Sequence, residues 1–344
     1  KSFCTYGSFF YSLFLNSQKV KMLEKAIFQI KNKQEFETLA LQVFQYQYEH
    51  VAPYRDFCNL LHKNPDTVTS LKSIPFLPIE FFKSHTILSD EKEPQTIFTS
   101  SGTTGTITSN HLVADLQLYE ESFLSGFRQF YGNPKDWTIL ALLPSYLERE
   151  GSSLIYMVHA LIEKSNASSG FYLHNLDALI ENLEALEKSN QKTLLIGVSY
   201  ALLDLIEKQQ FQLKSTTIME TGGMKGRRKE LIKAALHEKL KKGFGVAQIH
   251  SEYGMTELLS QAYSSGKGVY TTPPWMKVFT RDTEDALTFI SGKTGGINII
   301  DLANLYSCSF IATQDLGKTL PDGSFEILGR FDTSDIRGCN LMVL

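Results

Sequence analysis

Hydroxyl side chains and glycines crowd one short loop that follows an apolar stretch predicted to be a strand. The loop contains Ser100, Ser101, Gly102, Thr103 and Thr104. Backbone N–H groups and hydroxyls in such a loop can point at phosphate oxygens, and glycine permits the close approach and the positive φ that this needs. No Gly-Lys-Ser/Thr follows, so the pattern is not a Walker A loop. We interpret it as a phosphate-binding loop, with an exposed Ser/Thr turn as the alternative.

An aromatic ring, a hydroxyl and a carboxylate follow a second predicted strand, in the sequence H-S-E-Y-G-M-T-E over residues 250–257. Ligands of open parallel sheets bind at the carboxyl ends of strands, so these side chains are expected to face the site. Tyr253 can stack on a base, and Thr256 and Glu257 offer the hard oxygens that Mg²⁺ prefers beside phosphates. Taken alone, Glu257 is equally compatible with an ordinary acidic residue at a helix N-terminus.

An acid and a base stand on two neighbouring predicted strands near the end of the chain. Asp315 lies in a T-Q-D-L-G segment and Arg330 in a G-R-F-D segment. On adjacent strands both side chains can reach a ribose or a phosphate. Each residue by itself could equally belong to a turn or to a surface ion pair.

Alternating helices and strands must position these segments. After Ser100 the apolar periodicity predicts helices near 117–131, 152–163, 201–208 and 227–241. The strands between them are predicted near 138–143, 193–197 and 216–220. Such alternation implies right-handed crossovers and a largely parallel sheet with helices on both faces. After Val269 the helices stop, and antiparallel strands are predicted near 286–290, 296–300 and 324–328.

The N-terminal part of the sequence predicts helices followed by an extended segment. Between Leu23 and Leu61 apolar residues recur at helical spacing, which predicts two helices. The two prolines of Ile74–Lys83 forbid a regular helix and favour an extended, turned passage. Residues 1–21 are interpreted as a leader or an upstream extension. The remainder, 22–344, is expected to be one domain with a helix/sheet part (22–268) and a β-rich part (269–344).

Composition narrows the functional class. The chain has 344 residues, of which 42% are hydrophobic, and a formal net charge of −3. It can therefore bury a large core, and it has no global excess of positive charge to indicate a nucleic-acid partner. The four cysteines are far apart and have no metal-ligand spacing, which favours free thiols and a cytoplasmic location. The apolar patch near the N-terminus is too short to span a membrane.

The order of the motifs is more specific than any one of them. F-T-S-S-G-T-T-G, then Y-G-M-T-E, then T-Q-D, then G-R-F-D-T-S-D-I-R-G resembles the adenylate-forming superfamily, which includes acyl-CoA synthetases and peptide-synthetase adenylation domains. Within it the chain is similar to the acyl-protein synthetases of bacterial luminescence, which are long-chain-fatty-acid protein ligases. The residues that carry this closer likeness are the F-T-S-S-G-T loop, Ile74–Lys83, Thr221–Lys225, Pro273–Trp275 and Gly338–Leu341. The resemblance implies an α/β fold, with helix-covered, mainly parallel sheets and a small β-rich portion.

The resemblance also implies a nucleotide site and a two-step reaction. A carboxylic acid, expected to be a fatty acid, attacks the α-phosphorus of ATP, and a thiol then attacks the acyl-adenylate. Tyr253 would lie against adenine, Asp315 and Arg330 would bind the ribose, and Glu257 with Thr256 would hold Mg²⁺. The ATP phosphates would contact Ser100, Ser101, Gly102, Thr103, Thr104 and Gly223.

Two further roles follow from the resemblance. Acyl-protein synthetases carry the acyl group on a cysteine near the C-terminus, and Cys339 occupies the matching place, where Arg337 could lower its pKa. The alternative for Cys339 is a small apolar residue near a chain end. Adenylate-forming enzymes usually continue into a mobile C-terminal domain with a catalytic lysine, whereas this sequence stops at Leu344. Lys225 is our hypothesis for a substitute, with a plain lysine at a helix start as the alternative.

Two other functions stay open at this stage. Residues 195–202 have the strand, turn and helix order of a nucleophile elbow, which would make Ser199 a hydrolase nucleophile; a helix-capping role for Ser199 is the simpler interpretation. A catalytically inactive nucleotide-binding homologue is the second alternative. If the chain transfers acyl groups, a protein partner such as a reductase or an acyl carrier protein is expected.

Overall fold

The computed structural model describes residues 18, 20–100, 107–143, 151–172, 175–222 and 231–331. The sequence assignments to Ser101, Gly102, Thr103, Thr104, Gly223, Lys225, Arg337 and Cys339 lie outside these ranges. In the described part of the chain, no helix combines the length and the apolar character that a membrane crossing requires.

Helices form the N-terminal part, and their number differs from the sequence prediction. The described residues up to Leu61 form three helices: α1 (residues 20–27), α2 (Lys33–His50) and α3 (Ala52–Leu60). Asn32 begins α2, because its Oδ1 accepts the backbone N–H of Glu35 at 3.0 Å. Pro53 lies in the first turn of α3, a position where its missing N–H costs nothing. The apolar periodicity predicted two helices and did not separate α2 from α3, because only Val51 lies between them.

The proline-rich segment makes the extended passage that was predicted, followed by one helical turn. Strand β1 (Leu77–Pro78) pairs in parallel with a later strand, and α4 (Phe81–Ser84) follows directly. A two-stranded antiparallel sheet, β2 (Thr96–Thr99) and β3 (Asn110–Val113), comes next. Its strands flank the phosphate-loop sequence.

Alternating helices and strands build the middle of the molecule. In chain order they are α5 (Leu116–Tyr131), β4 (Thr138–Leu142), α6 (Ser153–Glu163), β5 (Gly170–Phe171), α7 (Leu176–Lys188), β6 (Thr193–Val198), α8 (Ser199–Lys208), β7 (Thr216–Thr221), α9 (Lys233–Phe244), β8 (His250–Tyr253) and β9 (Ala262–Ser264). The strands form one sheet in the order β5-β4-β6-β7-β8-β9, and only β9 is antiparallel to its neighbour. The predicted helix near 227–241 begins later than expected, since Leu231 and Ile232 are not helical.

A second, mainly antiparallel sheet follows. It contains β10 (Val269–Tyr270), β11 (Met276–Arg281), β12 (Phe289–Ile290), β13 (Gly295–Asp301), β14 (Phe310–Thr319) and β15 (Phe325–Arg330). Its order is β10-β15-β14-β13-β11-β12, with β1 added to β14. The described residues from 269 to 331 contain no helix, as the sequence predicted.

The N-terminal helices pack against the second sheet. Phe44 and Tyr54 lie edge-to-face at 6.1 Å, and Tyr54 stacks on Phe310 of β14 at 5.9 Å. The fully buried Gln47 amide donates to the carbonyls of Asn304 and Leu305, both at 2.9 Å. A buried amide without partners would cost about 1–3 kcal/mol, so this contact fixes how α2 meets the sheet.

Candidate active site

Three of the expected site residues meet in one hydrogen-bonded group. Tyr253, the last residue of β8, donates its hydroxyl to Asp315 Oδ2 at 2.7 Å. Arg330 Nε donates to Asp315 Oδ1 at 3.0 Å. Asp315 and Arg330 are directly paired in the β14–β15 register, as predicted for neighbouring strands.

The members of this group differ in their exposure to solvent. The Asp315 side chain is 8% exposed and that of Arg330 is 72% exposed. Burial and the Asp315 charge raise the pKa of Tyr253 well above its usual value, so the phenol stays protonated and keeps donating. Burial lowers the pKa of Arg330, but Asp315 raises it more, so the guanidinium stays charged. The group can offer a carboxylate edge and a cation to a polar ligand.

Glu257 lies beside Ser109, which is bonded to Ser100 at the start of the predicted phosphate-binding loop. Its side chain is buried and hydrogen-bonds the Ser109 side chain. Ser109 is joined to Ser100 twice: Ser109 N donates to Ser100 Oγ at 2.8 Å, and Ser100 N donates to the Ser109 carbonyl at 3.0 Å. Burial raises the pKa of Glu257, while Ser109 and the charges of Arg330 and Lys83 lower it. Burial prevails, so the pKa of Glu257 lies above its usual value.

Two buried side chains that the sequence analysis missed hold the Thr256–Glu257 turn. His111 Nδ1 donates to the Thr256 carbonyl at 2.7 Å, and its Nε2 lies 2.9 Å from Asn304 Oδ1. The Asn304 amide donates to the Glu257 carbonyl at 2.8 Å and to the Cys308 carbonyl at 3.0 Å. Burial lowers the pKa of His111 to about 4, and the bonds to Thr256 and Asn304 oppose that shift. These contacts join the end of β8 to the second sheet.

No local pattern in the sequence indicates the roles of His111 and Asn304. His111 is 145 residues from Thr256 and 193 from Asn304. The one available hint was a histidine close after the hydroxyl-rich loop, in a strand that pairs across it.

The nucleophile-elbow interpretation of Ser199 is wrong. The Ser199 hydroxyl donates to Glu220 Oε2 at 3.3 Å and to the Gly222 carbonyl at 3.1 Å, and no histidine contacts it in the described part of the chain. The side chain is buried, with a relative exposure of 2%. The capping interpretation is wrong too, because α8 begins at Ser199 itself and Val198 is its N-cap residue.

Glu220 is the centre of a buried ionic cluster that the sequence did not reveal. Its Oε1 accepts from Lys233 Nζ at 2.7 Å and lies 3.3 Å from His237 Nε2. Burial raises the pKa of Glu220, but its bonds to His237 and Lys233 prevail and bring that pKa down to about 2. Lys233 also donates to the Tyr270 hydroxyl. The cluster ties α9 to β7 and to the second sheet.

Comparison with known families decides the assignment. The family model of the acyl-protein synthetase LuxE matches residues 13–344, nearly the whole chain. The chain belongs to the LuxE acyl-protein synthetase family. The family's activity is ATP-dependent formation of an acyl-AMP followed by acyl transfer, so this acyl-protein synthetase is a ligase.

Individual relatives agree with the family. A long-chain-fatty-acid–luciferin-component ligase of Vibrio harveyi is 24% identical over 336 residues, which cover 90% of this chain and 88% of that protein. A 2-hydroxyisobutyryl-CoA ligase structure superposes with a TM-score of 0.64 at 14% identity, over 88% of this chain and 72% of that one. ATP-bound MatB from Rhodopseudomonas palustris gives 0.53 at 18% identity, over 78% of this chain and 54% of that one. The chain thus has the adenylate-forming fold and spans about half the length of MatB.

The residues at this site of the acyl-protein synthetase suit a divalent cation only together with a substrate. In the described ranges no three acidic, histidine or cysteine side chains group into a metal cage. Glu257 supplies one carboxylate, and the Thr256 carbonyl is already bonded to His111. Mg²⁺ is commonly held by one or two carboxylates plus substrate phosphates and water, so the donor set fits that arrangement.

Proposed function

We propose that this acyl-protein synthetase activates a fatty acid with ATP and Mg²⁺ and carries the acyl group on Cys339 before passing it to a partner. The observation that carries the proposal is the convergence of a carboxylate–guanidinium pair, Asp315 and Arg330, with Glu257 beside Ser109, which is bonded to Ser100 at the start of the predicted phosphate-binding loop. The name of the Vibrio harveyi relative supports a long-chain acid as substrate.

In this proposal the site orders ATP along its length. Asp315 and Arg330 bind the ribose hydroxyls. Tyr253 lies against the adenine while its hydroxyl keeps Asp315 oriented. Glu257 and Thr256 would bind Mg²⁺ together with the phosphates. This division uses Arg330 as a charged guanidinium and Tyr253 as a protonated phenol, the states that their surroundings favour.

The chemistry needs positioning more than covalent help. A carboxylate oxygen of the fatty acid forms a bond to the α-phosphorus, the bond from α-phosphorus to the bridging oxygen breaks, and pyrophosphate leaves with that electron pair. A thiolate then attacks the acyl carbonyl carbon, and AMP leaves. The residues around the nucleotide hold the reacting groups in line and stabilise the charge that develops on the phosphate. Mg²⁺ supplies further charge neutralisation when bound.

The described cysteines are unsuitable as the acceptor. Cys58 and Cys308 are both fully buried. Burial raises the pKa of Cys58 to about 12 and also raises that of Cys308, so neither forms the thiolate that attack requires. This supports an acceptor elsewhere, and Cys339 is the residue that matches the family pattern.

A small void marks a candidate position for the acyl tail. It measures about 10 Å³ and is lined by apolar side chains of α5, α6, β4, β6 and β7, with Glu252 and Tyr263 at its border. A void of that size holds about one water molecule. Binding of a fatty acyl chain between α6 and the sheet would therefore require α6 to move outward.

The free thiols also support a cytoplasmic location, and a reductase or an acyl carrier protein is the expected acyl acceptor.

The test combines two measurements. Pyrophosphate release is followed with ATP, Mg²⁺ and saturated acids from short to long. Intact mass is then determined for the wild type, Cys339→Ser and the matched control Cys4→Ser. The proposal expects release that depends on a long-chain acid and an acyl adduct absent in Cys339→Ser alone. Release without an adduct would move the acceptor to another thiol, and no release with any acid would favour an inactive homologue.

A further inference from the structure

The short helix α4 is fixed beside the nucleotide site by its backbone and side chains. Just before it, Ile79 N donates to the Ala312 carbonyl of β14 at 3.0 Å. Glu80, at the N-cap of α4, accepts a hydrogen bond from the Gln314 amide, next to Asp315 in β14. The N-terminal end of α4 therefore lies against β14, the strand that contains Asp315.

The other side of α4 meets the turn that bears Glu257. Phe82 is buried and packs edge-on against His111, with ring centroids 5.6 Å apart and a 90° interplanar angle. His111 in turn donates to the Thr256 carbonyl. Lys83 directly follows Phe82, so its side chain starts between the Asp315 strand and the Glu257 turn.

Lys83 is a cation that its described surroundings do not neutralise. Its side chain is exposed, and no carboxylate in the described part of the chain lies within ion-pair distance of it. Lysine ammonium groups are point charges on flexible stems and commonly bind phosphate oxygens.

We propose that the Lys83 ammonium binds an oxygen of the α-phosphate of ATP and stabilises the charge on that phosphate during adenylation. The inference rests on the proposed function of the site. In that function Asp315 and Arg330 hold the ribose and Glu257 faces the metal-bound terminal phosphates. The α-phosphate lies between these two groups along the nucleotide, as Lys83 lies between Asp315 and Glu257. When the carboxylate attacks and pyrophosphate leaves, Lys83 stays with the α-phosphate, now part of acyl-AMP.

Binding of AMP and adenosine separates an α-phosphate contact from a general effect on the fold. Titration calorimetry is done with the wild type, Lys83→Met, Lys83→Arg and the control Lys72→Met, an exposed lysine of the same N-terminal part. We expect Lys83→Met to weaken AMP binding about tenfold and to leave adenosine binding unchanged. Lys83→Arg keeps the charge and should recover most of the affinity, and Lys72→Met should match the wild type.

Kinetics provide the second measurement. Acid-dependent pyrophosphate release by Lys83→Met should fall about a hundredfold, the usual cost of removing one charge-stabilising donor from a transition state. A wild type that releases no pyrophosphate would contradict the proposed function itself. An active wild type with Lys83→Met within threefold of it, or with AMP and adenosine weakened equally, would overturn the inference and leave the proposed function standing. A wild type that binds neither AMP nor adenosine would overturn both.

Discussion

Replacing Glu252 with glutamine is expected to stabilise the protein at pH 8 much more than at pH 5. Burial raises the pKa of Glu252 from 4.5 to about 7; the Thr221 hydroxyl opposes this shift and the Glu220 charge adds to it. Because the folded-state pKa lies above the unfolded one, the folded protein binds more protons between these two pH values. The contribution of Glu252 to stability is therefore fully present below pH 4.5 and is lost as the pH rises through 7.

The size of the effect follows from the shift. A move from 4.5 to about 7 corresponds to about 3 kcal/mol of free energy of unfolding. Glutamine has nearly the same shape, cannot ionise, and can still accept the Thr221 hydroxyl bond, which measures 2.5 Å in the wild type. The difference in free energy of unfolding between Glu252→Gln and the wild type should thus grow by about 2–3 kcal/mol from pH 5 to pH 8, because part of the effect lies below pH 5.

Urea unfolding at several pH values between 5 and 8 measures this difference directly. Glu284→Gln is the matched control, since Glu284 is exposed and its replacement should give a difference that hardly depends on pH. A Glu252→Gln difference that stays flat across the range would refute the reasoning, because it would mean that the Glu252 carboxyl ionises in the folded state as easily as in the unfolded one.

Three other substitutions test the site. Asp315→Asn removes the charge expected to bind ribose, so KM for ATP in pyrophosphate release should rise about tenfold; an unchanged KM would remove Asp315 from the ribose site. Ser109→Ala removes a hydroxyl that lowers the pKa of Glu257, so the acidic limb of the pH–rate profile should move to higher pH, and a limb that stays in place would contradict that role. Asn304→Ala leaves two buried carbonyls without donors and should cost about 2 kcal/mol in urea unfolding; a loss below about 0.5 kcal/mol would show that the turn finds other donors.

Local periodicity was sufficient to predict most of the fold. The strand near 193–197 is buried throughout, the strand near 216–220 is buried except at Thr217, and the helices between strands follow the expected apolar spacing. The pairing of Asp315 with Arg330 was also predictable, because a short Gly- and Asp-containing turn between two strand patterns brings these positions opposite each other. The limits of elements were predicted less well: α9 starts at Lys233, and Val51 divides α2 from α3, which the apolar periodicity did not separate.

The partners of the site residues were not predictable in the same way. Glu220, Lys233 and His237 come together because α9 packs its first turns over the end of β7, and each would read as an ordinary surface charge or core histidine in the sequence. His111 and Asn304 meet only after two sheets dock, since hydrogen bonds across such separations depend on tertiary packing. The sequence therefore predicted that Asp315 and Arg330 lie on neighbouring strands, but it did not predict the side chains that hold the Thr256–Glu257 turn.

The cations near the strand ends differ in what already binds them, and this difference decides which can serve a substrate. Lys233 forms an ion pair with Glu220 and, together with His237, lowers the pKa of that carboxyl. The buried Arg281 guanidinium donates hydrogen bonds to the carbonyls of Ile297 and Thr313 and to the Asn298 side chain. Arg330 shares its charge with Asp315. Lys83 has no such partner among the described residues, so an incoming phosphate could bind its ammonium group without displacing a carboxylate. An anionic substrate thus gains more from Lys83 than from a lysine that must first leave a buried carboxylate.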